Sequence, residues 1–449
     1  MNKTSANSLE FILKDYHAIL EADIRLNGLT VLAGLNGSGK STIARWLYGF
    51  IYYSNNFDEI IRKRCNREIL MRLNRLNEVE RRLAFWANKD TLPRHNDTFR
   101  DSEQLETLFL NRVYAIRDIM TELYHRDVLD PQRVSWLVRS LGVRKGINSS
   151  FEEITDCFMA KEEDHLRSIL ERTDRKLSEN SVADLFRMIE EGLDIRNRGE
   201  VDLQVVEEGT PLIDYDFIHP DRHKDQSYMG RFLKPYGMKR AIYIDSPMAV
   251  TNSAHFSNPL WNMLCRMLST PLREMPDEGH EILLRIQRAL GGEVQLRDKD
   301  FGSKELRYVR RSDNLDIPID EVATGMKSFA YLYRLLQNGY IDSETLLIID
   351  EPEAHLHPQW VVTFAEILVL IDKLLGTRIM VASHDPDMIA ALQTLSKRYE
   401  IEDATNFYIA KPCDNRFKFV NLGTSISEIF ESFNIALERI DSFLPDNDE

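Results

Sequence analysis

Gly34-Leu35-Asn36-Gly37-Ser38-Gly39-Lys40-Ser41 fits the spacing G-x-x-x-x-G-K-[ST]. Such a loop does phosphate chemistry. Its glycines let backbone N–H groups turn inward around a β-phosphate, and the helix that follows adds its positive N-terminal end. Lys40 is placed to reach the β- and γ-phosphates, and Ser41 to offer a hydroxyl to Mg²⁺. Gly34, Asn36, Gly37, Ser38, Gly39, Lys40, Ser41 and Thr42 are therefore the candidate residues for ATP. A second constellation lies at Leu346-Leu347-Ile348-Ile349-Asp350-Glu351. Four apolar residues suit a strand buried on both faces. Asp350 would emerge at its C-terminal end, where α/β sheets gather their ligands. A carboxylate there can hold Mg²⁺, and Glu351 beside it can polarise an attacking water as a general base.

The elements that must hold these groups are legible around them. Phe11–Leu13 and Ala22–Leu26 read as short strands, and Leu29-Thr30-Val31-Leu32-Ala33 as a buried strand running into the glycine loop. An amphipathic helix opens at Ser41. From about Tyr52 the pattern changes. Segments 61–86, 101–125, 151–173 and 181–196 carry apolar residues at helical spacing. Residues 200–238 read as irregular. Strand character returns at Arg240–Ile244, followed by a helical pair over about 258–290 and hairpin-like strands at Glu293–Leu296 and Leu306–Arg310. A helix from about Met326, the strand Leu346–Ile349, a helix from Pro358 and a strand Arg378–Ala382 come next. A short amphipathic helix follows Gly423. Strands alternating with helices at both ends imply a doubly wound, partly parallel α/β head, from which a helical lobe emerges. The expected division is 1–51 for the first part of the head, 52–238 for the insertion and 239–449 for the second part.

Composition narrows the classes. The chain has 449 residues, 43% hydrophobic and 29% charged, enough to build packed cores. With 72 acidic against 57 basic residues its formal charge is −15, so any contact with nucleic acid must use a local patch. No segment has the length and apolarity of a membrane span, and the N-terminus has no signal-peptide pattern. Four widely spaced cysteines form no C-x-x-C pair and suit reduced thiols in the cytoplasm.

Beyond these readings the sequence resembles the ABC-type ATPases, and among them the SMC/RecF/OLD-like heads, including the ATPase subunits of Septu-like and retron-associated antiphage systems. The residues that carry the resemblance are the opening through GLNGSGKST, VATGMKSF (Val322–Phe329), DEPEAHLHP (Asp350–Pro358) and ASHDPDMI (Ala382–Ile389). It covers about 8–50 and 240–422 and not the helical insertion. It implies an ABC-type P-loop head with a mixed, largely parallel sheet. The implied activity is hydrolysis of ATP to ADP and phosphate. His384 would contact the γ-phosphate and sense hydrolysis. Thr324 and Gly325 would match the Ser-Gly of the signature loop and act on the ATP of a second copy, in a homodimer or higher oligomer. Ala354–His357 would match the loop at the dimer interface. Two departures stand out. Met326 and Lys327 replace the signature's second glycine and its glutamine, so the contact in trans would be a lysine charge. No glutamine marks the Q-loop, and Asp245 or Ser246 would stand in for it.

Other residues invite weaker readings. His355 and His357 flank no third ligand and fit an interface loop better than a metal site. Asp214–His219 with His223 matches no metal motif and reads as a hydrated loop. Two basic segments, 62–82 and 222–240, are the candidate contacts for nucleic acid. The first has Leu70, Leu73, Leu76 and Leu83 as a core side, and the second interleaves Tyr228, Phe232 and Tyr236 with cations. The resulting expectation is an ATP-gated dimeric switch that controls a separate effector, a nuclease or toxin, in antiviral defence. About 65 residues follow His384, too few for an appended nuclease domain, which is why the effector is expected in another chain. The alternative is a RecF-like DNA-binding ATPase of repair. A transporter ATPase fits the insertion and the HLHP loop poorly.

Overall fold

The computed structural model describes residues 8–90, 102–143, 150–195, 202–216, 229–245, 259–298, 304–354 and 356–433. The chain begins with β1 (Leu9–Tyr16), β2 (Ile19–Leu26), β3 (Leu29–Ala33) and α1 (Lys40–Asn55). Four helices follow, α2 (Phe57–Ala87), α3 (Ser102–His125), α4 (Pro131–Leu141) and α5 (Phe151–Glu179), then α6 (Val182–Leu193). Next come β4 (Asp202–Glu207), β5 (Thr210–Pro211), β6 (Ile213–Asp216), β7 (Met229–Phe232), β8 (Arg240–Ile244), α7 (Pro259–Ser269) and α8 (Gly279–Leu290). The rest is β9 (Glu293–Asp298), β10 (Lys304–Arg310), β11 (Leu315–Pro318), α9 (Thr324–Gln337), β12 (Thr345–Asp350), α10 (Pro358–Leu375), β13 (Arg378–Ser383), α11 (Pro386–Arg398), β14 (Thr405–Cys413), β15 (Arg416–Asn421) and α12 (Ser427–Phe433).

Two units divide the chain. One comprises 1–55 and 181–449, the other 56–180. The first is built on a ten-stranded sheet ordered β5-β4-β1-β2-β15-β14-β3-β13-β12-β8. From β14 through β3, β13 and β12 to β8 the strands are parallel. The far side is antiparallel at β1·β2, β1·β4 and β4·β5. All residues of β3, β12 and β13 are buried. That is what strands flanked on both edges and covered on both faces require, and it explains their unbroken apolar runs. In β1, by contrast, Leu9, Phe11 and Leu13 are fully buried and alternate with half-buried neighbours. The core of this unit joins β3, β12 and β13 to the apolar faces of α8, α9, α10 and α11, through Ile282, Phe329, Phe364, Leu368 and Leu392 among others. A three-stranded antiparallel sheet, β11-β10-β9, packs Leu306 and Tyr308 into the same core.

The second unit is helical, with its own core of Ile69, Leu76, Leu83, Phe109, Ile116, Leu137 and Phe158. Arg112 and Glu80 pair at its centre, both fully buried, and Arg72 donates from Nε to the buried Glu162 at 2.7 Å. The sequence pattern places the end of the insertion at 238, whereas in the structure the head unit resumes at 181. Segment 202–207 pairs with β1, Leu9 facing Glu207 and Leu13 facing Leu203. Alternation over so short a strand, flanked by charges, is weak, and only its pairing partner reveals it. β5, β6, β7, β11, β14, β15, α4 and α11 are likewise not expected from the sequence pattern. The mixed, largely parallel head with a helical lobe is the fold class expected.

Candidate nucleotide-binding and hydrolysis site

The glycine loop joins β3 to α1 as its spacing required. Gly34, Gly37 and Gly39 have φ of 150°, 79° and 99°. A Cβ at Gly39 would lie 2.7 Å from Ile19 Cγ1, while one at Gly37 would meet open space. At Gly39 both the backbone and the packing against β2 exclude a side chain. The Lys40 side chain curls back over the loop, donating from Nζ to the carbonyls of Gly34 at 2.8 Å and Leu35 at 3.0 Å. Burial pushes its ammonium below the usual lysine range, against the pull of Asp350, Glu351 and Glu353. One cation thus sits in the field of three carboxylates.

β12 delivers those carboxylates. Asp350 is its last residue, 5% exposed. The Tyr243 hydroxyl donates to Asp350 Oδ2 at 2.8 Å, and the Ser41 hydroxyl faces the same carboxylate. Burial raises the Asp350 pKa above the ordinary aspartate value despite both contacts. Its Oδ1 is buried with no partner among the described residues, as is the hydroxyl of Ser38. A hydroxyl and a carboxylate oxygen are the hard donors Mg²⁺ takes when substrate phosphates and waters complete its shell. Ser41 and Asp350 therefore fit Mg²⁺ held jointly with a nucleotide. No group of three or more His, Cys, Asp or Glu suited to a metal occurs among the described residues.

Glu351 has left the strand. Its φ is +51°, a conformation L-residues rarely adopt, although its N–H still donates to the Ala382 carbonyl at 2.8 Å. That backbone turns the side chain out of the sheet, where it is 41% exposed. Strain of this kind concentrates at functional sites. His384 follows the end of the neighbouring strand β13. Its Nδ1 lies 3.5 Å from Glu351 Oε1 and 3.5 Å from Glu353 Oε1. The glycine loop, Ser41, Asp350, Glu351 and His384, spread over 350 positions, converge because β3, β13 and β12 are adjacent parallel strands ending on one edge.

Other sequence candidates land differently. Thr324 and Gly325 open α9. Lys327, one turn on, is buried, and its Nζ donates to the Asp320 carbonyl at 3.0 Å. In this structure its charge therefore serves the fold instead of projecting toward a second copy. His357 Nδ1 accepts from the Gln359 N–H at 3.3 Å and caps α10. Its ring is committed to helix capping, against a metal role, while His355 lies outside the described residues. Asp245 stands 3.9 Å from the Arg45 guanidinium at the end of β8, and Ser246 lies outside the described residues. Of the basic segments, Arg72 is spent on Glu162 and Arg82 sits 4.5 Å over the Trp136 ring, whereas Arg62, Arg67 and Arg75 are exposed. In the second segment and in Asp214–His223, residues 217–228 lie outside the described structure.

Two residues of the site were not picked out from sequence as participants. Tyr243 pairs in register with Ile348, so it shares a face with Asp350 two positions on. Glu353 is 7% exposed and accepts from the Ser383 hydroxyl at 2.8 Å. Its signal was present in the DEPE run, where an acidic residue follows Asp350 by three positions.

Strand order and site together make a P-loop fold, with the glycine loop after β3 and the acidic end of β12 on the same edge of the parallel strands. No helix among the described residues is long and apolar enough to cross a membrane. Residues 234–390 match the family described as "AAA domain, putative AbiEii toxin, Type IV TA system". A segment of 135 residues is 31% identical to the Septu protein PtuA of Bacillus thuringiensis. That match takes in 27% of this chain and 33% of the relative, so the chain spans about a third of the length of the curated relative it matches. Similar solved structures include the SMC head domain of Thermotoga maritima, at 11% identity and a TM-score of 0.38 over 92% of this chain and 98% of that one. The Smc head domain of Pyrococcus furiosus, with an extended coiled coil and bound to the C-terminal domain of ScpA, is 12% identical with a TM-score of 0.33, covering 96% and 98%.

Proposed function

We propose that this protein hydrolyses ATP as a dimeric or higher-order switch and thereby controls a separate effector, a nuclease or toxin, in antiviral defence. The observation that carries the hydrolytic reading is the convergence of Lys40, Ser41, Asp350, Glu351 and His384 at one edge of the parallel strands. Backbone N–H groups of 34–39 and the Lys40 ammonium bind the phosphates, Lys40 exchanging its two carbonyl partners for phosphate oxygens. Mg²⁺ held by Ser41 and Asp350 would neutralise phosphate charge. Glu351 orients a water and takes its proton, and His384 contacts the γ-phosphate. The part in antiviral defence is supported by the match to the Septu protein and by the description of the matching family. Exposed arginines of α2 keep nucleic acid as a candidate ligand and with it the RecF-like alternative.

Complementation tests the switch. A Lys40→Ala subunit keeps Thr324 and Gly325, and a variant with Gly325 replaced by bulky Trp keeps the P-loop. Each alone should release little phosphate. Mixed, about half the dimers are heterodimers with one working site of two, so roughly a quarter of the wild-type rate should return. No recovery, or a fully active ATP-bound monomer, excludes action in trans.

A further inference from the structure

We propose that Glu353 is a positioning residue that fixes the His384 ring by accepting hydrogen bonds from the segment that carries it. This inference rests on the hydrolytic reading above. The geometry is specific. Glu353 Oε1 accepts from the Ser383 hydroxyl at 2.8 Å and from the His384 N–H at 3.2 Å, and it lies 3.5 Å from His384 Nδ1. Ser383 Oγ in turn accepts from the Asp385 N–H at 3.1 Å, and the Asp385 side chain caps α11 through the Met388 N–H at 2.7 Å. One carboxylate oxygen thus ties the turn after β12 to the turn after β13, on both sides of His384.

The two carboxylates beside the imidazole are unlike each other. Glu351 is well exposed, while Glu353 is almost sealed. An exposed carboxylate can reach water, whereas a buried, doubly hydrogen-bonded one defines a position. The carboxylate oxygens of Glu353 and Glu351 both lie 3.5 Å from Nδ1 and together favour the tautomer with the proton on that nitrogen while the turn holds the ring beside them. Glu353 Oε2 is buried without a partner among the described residues, and burial raises the Glu353 pKa. Both facts make glutamine a close mimic: its carbonyl can replace Oε1, and among the described residues no ion pair is made by the oxygen it loses. Alanine removes the acceptor that holds the Ser383–His384 turn, so the ring is no longer held beside Glu351 either.

The experiment uses the full chain, ¹⁵N-labelled at histidine and free of nucleotide, with the His384 ring signals assigned by their loss in His384→Ala. Wild type and Glu353→Gln should show the Nδ1–H tautomer, and Glu353→Ala the averaged signal of a freely exchanging ring. In parallel, Glu353→Ala should lower kcat about 10²-fold, the scale of a misplaced catalytic group, with KM for ATP within about twofold. Glu353→Gln should stay within about fivefold of wild type. Should Glu353→Ala not fold, Ser383→Ala removes the hydroxyl bond alone and should shift the His384 signals toward the averaged value. The proposal is overturned if alanine leaves the ring signals and kcat at wild-type values, if glutamine falls as far as alanine, or if Ser383→Ala leaves the signals unmoved. A wild-type protein that releases no phosphate would instead defeat the hydrolytic reading, and the ring signals would still decide the role of Glu353.

Discussion

Replacing Glu351 once by alanine and once by glycine separates what its backbone does from what its carboxylate does. In an ordinary conformation glycine is less stabilising than alanine by roughly 0.5–1 kcal/mol, because the unfolded chain gains freedom. Glu351 sits at φ +51°, where a residue with a Cβ is penalised by roughly 1–2 kcal/mol. The order should therefore reverse, with glycine more stable than alanine by about 1 kcal/mol after both terms. In a unit of this size that corresponds to a melting temperature about 2 °C higher for glycine, read on nucleotide-free protein by scanning calorimetry. Both variants lose the base and should release phosphate about 10²–10⁴-fold more slowly than wild type. An alanine variant at least as stable as the glycine variant refutes the strained backbone. Phosphate release near the wild-type rate in either one refutes the role of the carboxylate.

Two further outcomes follow from the same site. On the proposed reading Lys40→Ala would remove two charge-assisted contacts to phosphate, each of about 1.5–3 kcal/mol, so ATP affinity by calorimetry should fall about 10²–10⁴-fold, and unchanged affinity would end the P-loop assignment. Asp350 has a folded pKa above its ordinary value of 3.8, so the folded protein holds that proton more tightly than the unfolded chain. Stability from the protonated form is complete below that ordinary value and is lost as pH rises through the folded pKa. Nucleotide-free Asp350→Asn should accordingly melt above wild type at pH 7, with the gap closing as pH falls toward 4. A wild type that melts higher at pH 7 would contradict this.

The sequence by itself pointed to the chemistry proposed for the two principal motifs. A glycine loop between an apolar strand and a helix has few other uses, and an acidic pair ending a wholly apolar strand marks the ligand edge of a parallel sheet. Local pattern also placed β3, β12 and β13, because burial on both faces leaves an unmistakable run of apolar residues. What depended on partners distant in sequence was not legible. β4 belongs to the head only because it pairs with β1, some 190 positions earlier. Lys327 is a surface lysine by composition, yet the preceding turn offers a carbonyl that buries it. Tyr243 and Glu353 joined the site through the register of β8 with β12 and through the approach of Ser383 and His384. Residue types and short spacings state which reactions a chain can perform. Strand adjacency, which brings the ends of β3, β12 and β13 together, decides which of those residues meet.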